Sequence, residues 1–305
     1  MNAEDIFSAN RRRLFAIAYR MLGEVGEAED AVQEAFVRWE RNDGPVDNPD
    51  AWLTTVVSRI CVDRLKSAQR QRETYVGPWL PEPVATDTPD PADDAALADS
   101  LSLAFLVVLE RLSPLERAAF LLHDVFGYTH NEVAAMLERS PAAVRQVAAR
   151  ARGHLAGERP RYERDAARGE AVTRAFVDAV AGADLDGLMA VLAPDVVFVA
   201  DGGGVVAAAR HPQHGAARVA QVILSLARLR PPDWTFAARE LNGEPAFIVR
   251  RADGTIDSAW ILHAADGCVV RIDVLRNPAK LAGLDAGADP DAADGRGGWL
   301  SGRRP

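Results

Sequence analysis

Residues 24–66 carry two apolar stripes at helical spacing, one on an acidic segment and the next on a basic one. In the first, Val25, Ala28, Val32, Ala35, Phe36 and Trp39 recur three or four residues apart, the period of an amphipathic helix. Glu29, Asp30, Gln33 and Glu34 lie off that stripe. A second helix is predicted to open at Asn48, a cap, with Pro49 in its first turn and Asp50 complementing the helix dipole. On this pattern Trp52, Val56, Ile60 and Leu65 face inward, while Arg59, Lys66 and Arg70 follow on another side, with Arg64 and Arg72 nearby. Two such helices need different partners. The acidic face suits a basic protein surface. The basic face, with aromatics at its entrance, suits a nucleic-acid backbone and unstacked bases.

A net charge of −9 over 305 residues argues against nucleic acid only if charge is averaged. Acid concentrates in 82–99 and 284–294, whereas 139–168 is rich in arginine, and local patches make the electrostatic footprint. The chain has room for two or three domains and, at 48% hydrophobic and 26% charged residues, is globular. It has no apolar run of membrane-spanning length, and its acidic first residues do not read as a secretory signal, so a cytoplasmic protein without a membrane partner is expected. Cys61 and Cys268 lie far apart in apolar runs and are expected to be buried thiols without zinc-ligand spacing.

Residues 5–75 form the first helical domain, and 76–100 read as a linker, proline- and aspartate-rich, with a Trp79-Leu80-Pro81-Glu82-Pro83 segment suited to docking on a surface. Helices resume over 101–156, where Ser113-Pro114-Leu115-Glu116 and Thr129-His130-Asn131-Glu132 are capping boxes and Ser140-Pro141 opens a further helix. The spacing is that of a helix-turn-helix, with Ala134 and Ala135 where two helices cross closely. Its last helix places Arg145, Gln146, Arg150 and Arg152 where base edges and phosphates are met. After a connector over 157–168 the pattern changes class. Helices over 170–181 and 184–192 precede a strand over 195–200 ending in Asp201-Gly202-Gly203-Gly204, and a helix spans about 215–229. Strands near 234–241, 245–251, 256–264 and 268–276 follow, turned at Asn242-Gly243, Asp253-Gly254 and Asp266-Gly267. Helices with a curled antiparallel sheet predict an α+β cone over 169–281, and the glycine-, aspartate- and arginine-rich tail, 282–305, reads as flexible.

Several of these blocks carry a resemblance. Asp30-x-x-Gln33-Glu34-x-Phe36, then Ala51-Trp52-Leu53 and a basic helix, resembles region 2 of extracytoplasmic-function sigma factors, group IV of the sigma-70 family of RNA polymerase subunits. The helix-turn-helix resembles sigma region 4, and the cone resembles the SnoaL-like branch of the NTF2 fold. The subgroup with a fused C-terminal SnoaL-like domain also carries Trp-Leu-Pro-Glu-Pro, Asp-Gly-Gly-Gly and Asn-Pro-x-Lys-Leu, present here at Trp79–Pro83, Asp201–Gly204 and Asn277–Leu281. The likeness covers residues 5–281, with one departure: Val205 stands where the subgroup often has a basic residue.

The resemblance implies a multidomain chain, with two all-α sigma domains (a region 2 helical bundle and a region 4 helix-turn-helix) and an α+β NTF2/SnoaL-like cone. It implies core RNA polymerase and promoter DNA as partners and no cofactor or metal. Asp30, Gln33, Glu34 and Trp39 would face the β′ clamp. Asn42, Asp43 and Asn48 would lie near the flipped −10 base, with Arg59, Arg64 and Lys66 near the DNA. Arg145, Gln146, Arg150 and Arg152 would serve the −35 element beside the β flap. The C-terminal domain would tune the sigma domains in cis, through Trp79, Leu80, Asp201, Asn277, Pro278, Lys280 and Leu281.

The competing reading is a one-component helix-turn-helix regulator with a ligand-binding NTF2-like domain, which leaves 24–66 and the linker motif unexplained. Enzymatic chemistry is not expected. Asp201, His211, His214, Asp257, His263 and Asp273 come with neither a nucleophile nor metal-ligand spacing, and the sequence names no small-molecule ligand.

Overall fold

The computed structural model describes residues 3–72, 74–86, 101–156 and 166–284. The acidic stretch 87–100, most of the connector and the tail from 285 onward lie outside the described residues, as does the Arg70 side chain. The described residues divide into two compact units. One contains 3–72, 74 and 101–156, and the other contains 75–86 and 166–284.

In the first unit α1 (Ala3–Leu22), α2 (Val25–Glu40) and α3 (Pro49–Arg72) pack on one another. Ala28, Ala31, Val32 and Ala35 bury the inner face of α2, so the stripe is narrower than the sequence pattern. Phe36 is half-buried against Phe7 at 4.6 Å between rings, and Trp39 against Trp52 at 5.3 Å. Leu53, Val57, Ile60 and Leu65 are the buried side of α3, one residue out of phase with Trp52 and Val56 at its start. Asn48 caps α3 as expected, its Oδ1 accepting the Ala51 N–H at 3.1 Å.

The same unit holds α4 (Leu103–Leu109), α5 (Pro114–Phe120), a π-helical turn (Leu121–Val125), α6 (His130–Met136) and α7 (Pro141–Leu155). Both capping boxes are closed in both directions, at Ser113 with Glu116 and at Thr129 with Glu132. Ser140 caps α7 through the Ala143 N–H at 3.2 Å. The two sigma-like regions, read as separate domains, are one packed body, because α3 packs on α5 and α6. The buried Arg117 ties them: its guanidinium donates to Met21 O at 2.7 Å and Leu109 O at 3.1 Å, and Glu110 lies 2.7 Å away. Burial lowers the Arg117 pKa against the pull of Glu110, and Arg72, which also binds Glu110, adds to that lowering.

The second unit contains α8 (Ala166–Ala181), α9 (Leu185–Val191) and α10 (Ala216–Leu229) on a six-stranded sheet. Its strands are β1 (Leu192–Asp201), β2 (Gln213–His214), β3 (Thr235–Leu241), β4 (Glu244–Arg250), β5 (Ile256–Ala265) and β6 (Cys268–Leu275), in the order β2-β1-β6-β5-β4-β3. The sheet is not wholly antiparallel as expected, since β1 runs parallel to β6. The expected turns form, with positive φ at Asn242, Gly243, Gly254, Asp266 and Gly267. One sheet face, with Phe198, Phe247, Leu262 and Ile272, packs on the helices as the main core. By strand alternation Asp201, Ile261 and Asp273 belong to the other face, where α11 (Pro278–Leu281) lies against β5. Residues 84–86 cover the β3 edge: Ala85 bridges Leu241, and Val84 exchanges hydrogen bonds with Asn242. Cys61 is buried as expected, whereas Cys268 is partly exposed at the start of β6. Among the described residues, no helix is long and apolar enough to cross a membrane.

Candidate polymerase and promoter interface

The amphipathic pattern of α2 leaves Asp30 and Gln33 exposed on its outer side. Glu34 is half-buried there and is taken by two arginines, Arg38 Nη2 at 2.5 Å and Arg64 Nη2 at 3.4 Å. Arg64, assigned by the sequence to the DNA side, lies across the acidic face of α2. Its Nη1 donates to Glu27 Oε2 at 2.8 Å and to Glu27 O at 3.1 Å, and sits 3.9 Å from Asp30. Partial burial opposes the charge on Arg64, but the hydrogen bonds and attraction of Glu27 and Glu34 raise its pKa. Trp39 closes the end of this face against Trp52.

In the loop before α3, Asn42 Nδ2 donates to Gly44 O at 2.9 Å and Asp43 is exposed. Asn48 is engaged as the cap. Lys66 is exposed and paired with Asp63 at 2.8 Å. Arg59 has an unforeseen position. It donates from Nε to Met136 O at 2.7 Å and from Nη2 to Ala135 O at 3.1 Å, and its Nη1 lies 2.7 Å from Glu138. The last carbonyls of α6 lack partners within the helix, and a cation is favoured at that end. A guanidinium from the region 2 side therefore caps the first helix of the helix-turn-helix.

On α7, Val144, Val147, Ala148, Ala151 and Leu155 are buried, which turns Arg145, Gln146, Arg150 and Arg152 outward. The side chains of Arg145 and Gln146 make no hydrogen bond among the described residues. Arg150 Nε lies 3.4 Å from Glu116, and Arg152 makes a two-pronged contact with Asp124 at 2.8 and 3.2 Å. The sequence reading missed Arg117, Glu110 and Asp124. Spacing within their helical runs gives no hint that Arg117 meets Met21 O, 96 residues away, or that Glu110 meets Arg72, 38 residues away.

In the other unit the three short motifs meet at one carboxylate. Asp201, fully buried, accepts the Tyr75 hydroxyl at 2.6 Å, the Leu80 N–H at 2.9 Å, the Gly203 N–H at 3.0 Å and Lys280 Nζ at 2.7 Å. Lys280 Nζ also donates to Leu80 O and stands 4.3 Å from the Trp79 ring centroid. Asn277 caps α11 through the Ala279 N–H, with Pro278 in the first turn, and its Nδ2 reaches the Tyr75 hydroxyl at 3.0 Å. Leu80 and Leu281 are buried. The glycines follow from this crowding. A Cβ on Gly203, at φ 64°, would sit 2.5 Å from Asn277 Nδ2, and one on Gly204 would sit 3.0 Å from Val76. Val205 is exposed. Tyr75, a hub member, carried no signal in the sequence.

The remaining polar candidates do not converge. His211 and His214 are exposed. Asp257 is clamped by Arg251 and Arg276 at 2.9 and 3.0 Å. His263 and Asp273 are buried side by side at 2.8 Å, with Glu244 2.7 Å from the other ring nitrogen. Among the described residues no group of three or more histidine, cysteine or acidic side chains is placed to hold a metal ion.

Comparison with known proteins matches three segments of the chain. Family models match for Sigma-70 region 2 over residues 6–71, Sigma-70 region 4 over 102–155, and a SnoaL-like domain over 172–276. The chain is 44% identical over 290 residues to the ECF RNA polymerase sigma factor SigJ of Mycobacterium tuberculosis, covering 91% of this chain and 92% of that one. It is 36% identical to the probable ECF RNA polymerase sigma factor SigI of the same organism, over 91% of this chain and 94% of the other. The crystal structure of M. tuberculosis SigJ superposes with a TM-score of 0.73 at 37% identity, covering 91% of this chain and 97% of that one. Two sigma regions in order, followed by a SnoaL-like domain that grips the segment between them, place the chain in the family of extracytoplasmic-function RNA polymerase sigma factors, which direct promoter-specific transcription initiation.

Proposed function

We propose that this sigma factor is switched by its own C-terminal domain, which acts as a clamp on the segment joining regions 2 and 4 and not as an enzyme. Asp201 carries the reading: a fully buried carboxylate whose partners come from the linker at Tyr75 and Leu80 and from α11 at Lys280. The described residues of region 2 end at Arg72 and Thr74, and the grip begins at Tyr75, so the reach of region 4 from region 2 depends on whether residues 75–86 stay docked. In the open state Asp30, Gln33, Glu34 and Trp39 meet the β′ clamp. Asn42, Asp43, Asn48, Arg59, Arg64 and Lys66 serve the −10 element, and Arg145, Gln146, Arg150 and Arg152 the −35 element.

The packing of the first unit supports an inactive docked state. The −10 and −35 elements lie about 25 base pairs apart, or about 85 Å at 3.4 Å per pair. With Arg59 bonded to Met136 and Ala135, regions 2 and 4 cannot span that distance, and Arg59 cannot serve DNA while it caps α6.

The test is transcription from a cognate promoter, selected from a promoter library with sigma-free core polymerase. Truncation from residue 170, Trp79→Ala and Asp201→Asn should each change initiation strongly and in the same direction, and truncation after Leu281 moderately. Unaltered output from all four would remove the clamp. Tight duplex binding without polymerase would instead favour a one-component regulator.

A further inference from the structure

Asp124 has no capping role in region 4 and meets a single side chain among the described residues. It sits in the π-helical turn after α5, and Arg152 is its partner among the described residues, in the forked geometry that a phosphate also takes. The contrast with Glu116 is direct. Glu116 also faces an arginine of α7, Arg150 at 3.4 Å, but it accepts the Ser113 hydroxyl at 2.8 Å and the Ser113 N–H at 3.0 Å to cap α5. Asp124 closes no cap and orders no loop by a bond of its own.

Two histidines and a second arginine complete the neighbourhood. The His123 and His130 rings lie 3.8 Å apart beside it, with His123 Nδ1 2.6 Å from Tyr128 O. Arg145 and Arg152 are near enough to His130 for each to disfavour its proton, after burial and His123. The side chains of Arg152 and Asp124 are 44% and 18% exposed, so the arginine is more readily approached from solvent than the acid.

We propose that Asp124 is an internal counter-ion that competes with a DNA backbone phosphate for Arg152, and so limits how tightly region 4 holds duplex DNA irrespective of sequence. In the free chain the carboxylate occupies the phosphate's place on the fork. On DNA the guanidinium turns to the phosphate and leaves Asp124 behind as a negative charge that weakens the contact. Base readout by Arg145 and Gln146 is untouched, so Asp124 lowers non-specific binding more than it lowers discrimination. This rests on α7 being the −35 helix.

The experiment uses holoenzyme assembled from core polymerase and the full chain. Binding of upstream promoter duplex and of a scrambled duplex is followed by anisotropy over a salt series. Asp124→Asn should tighten both duplexes roughly two- to fivefold, the range of one exposed ion pair. It should also steepen the salt slope, by up to about 0.9, because Asp124 no longer offsets the charge that Arg152 brings to the phosphate. In an Arg152→Gln background the same change should have no effect. Asp124→Asn that weakens binding or leaves it unchanged overturns the proposal, as does a gain that persists without Arg152. Asp124→Ser repeats the comparison should the amide disturb folding, which thermal melting checks. Arg145→Gln and Arg152→Gln both leaving binding and initiation intact would sink the assignment of α7 itself, and the counter-ion with it. That outcome differs from a silent Asp124 beside a damaging Arg145→Gln.

Discussion

Asp201 and Asp273 are both fully buried carboxylates, held by different means. Asp201 is met by a lysine, a tyrosine hydroxyl and two backbone N–H groups, so its charge is shared among donors from three segments. Asp273 is met by His263 Nε2 and Arg271 Nε, both at 2.8 Å, and Glu244 faces the far nitrogen of His263. Burial opposes the imidazolium, yet Glu244 and Asp273 outweigh it and lift the His263 pKa from 6.5 to about 9. Burial likewise opposes the Asp273 carboxylate, but Arg271 and His263 bring its pKa from 3.8 down to about 2. A raised histidine pKa stabilises the fold fully below 6.5, and the contribution is lost as pH rises through about 9. The lowered aspartate pKa stabilises it above 3.8, and the contribution is lost as pH falls through about 2. The melting temperature of the C-terminal unit should therefore fall between pH 7 and pH 10, and His263→Gln should flatten that fall. A wild-type curve already flat over this range would mean the imidazole is neutral in the fold. Gly203→Ala tests the hub. The left-handed backbone costs roughly 1–2 kcal/mol and the new methyl meets Asn277, so the variant should lose protection of residues 75–86 in hydrogen exchange.

The elements of the first unit are set by local chemistry. Ser113, Thr129 and Ser140 each fix a helix start through a hydroxyl and a backbone N–H, and Pro114 and Pro141 follow where a missing N–H costs nothing. Such signals span four residues, which is why the helix-turn-helix and the Asn-Gly and Asp-Gly turns were legible in the sequence. Long-range pairing was not. Nothing in 192–201 states that β1 runs parallel to β6, a choice made by registers more than 70 residues apart. The placements of Arg59 and Arg64 were likewise hidden, because spacing gives the side of a helix and not which neighbour's carbonyls or carboxylates await there. Ser113→Ala should cost about 1 kcal/mol of stability. Glu116 would then lose the serine hydroxyl that helps hold its carboxyl below the usual range, where burial alone would raise it. Denaturant titration of the first unit measures the loss, and an unchanged midpoint would show that the contacts of Glu116 with Arg150 and with His154, whose Nδ1 lies 3.7 Å away, hold the turn unaided.

At the scale of the whole molecule the sequence divides into three family segments, whereas contacts divide it into two bodies. The boundary moved for a physical reason. The buried Arg117 reaches across to Met21 O, and its partner Glu110 pairs with Arg72, so removing one member of this buried set would leave a desolvated charge at a cost of about 3–5 kcal/mol. The Trp79–Pro83 segment left the linker for the C-terminal body because Asp201 and Lys280 receive its backbone. On the proposed function, promoter engagement overcomes the first set of contacts to separate regions by about 85 Å. A donor–acceptor pair on the exposed positions Asp63 and Arg139 reports that separation. Energy transfer should be high in the free chain, since Arg59 of the same helix as Asp63 contacts Glu138, next to Arg139. It should fall to near zero once core polymerase and promoter duplex are both present. Trp79→Ala should move the free chain part of the way if the docked linker helps keep regions 2 and 4 together. High transfer retained in an initiation-competent complex would mean that the packed unit is itself the active form, and that Arg59 never leaves α6 for DNA.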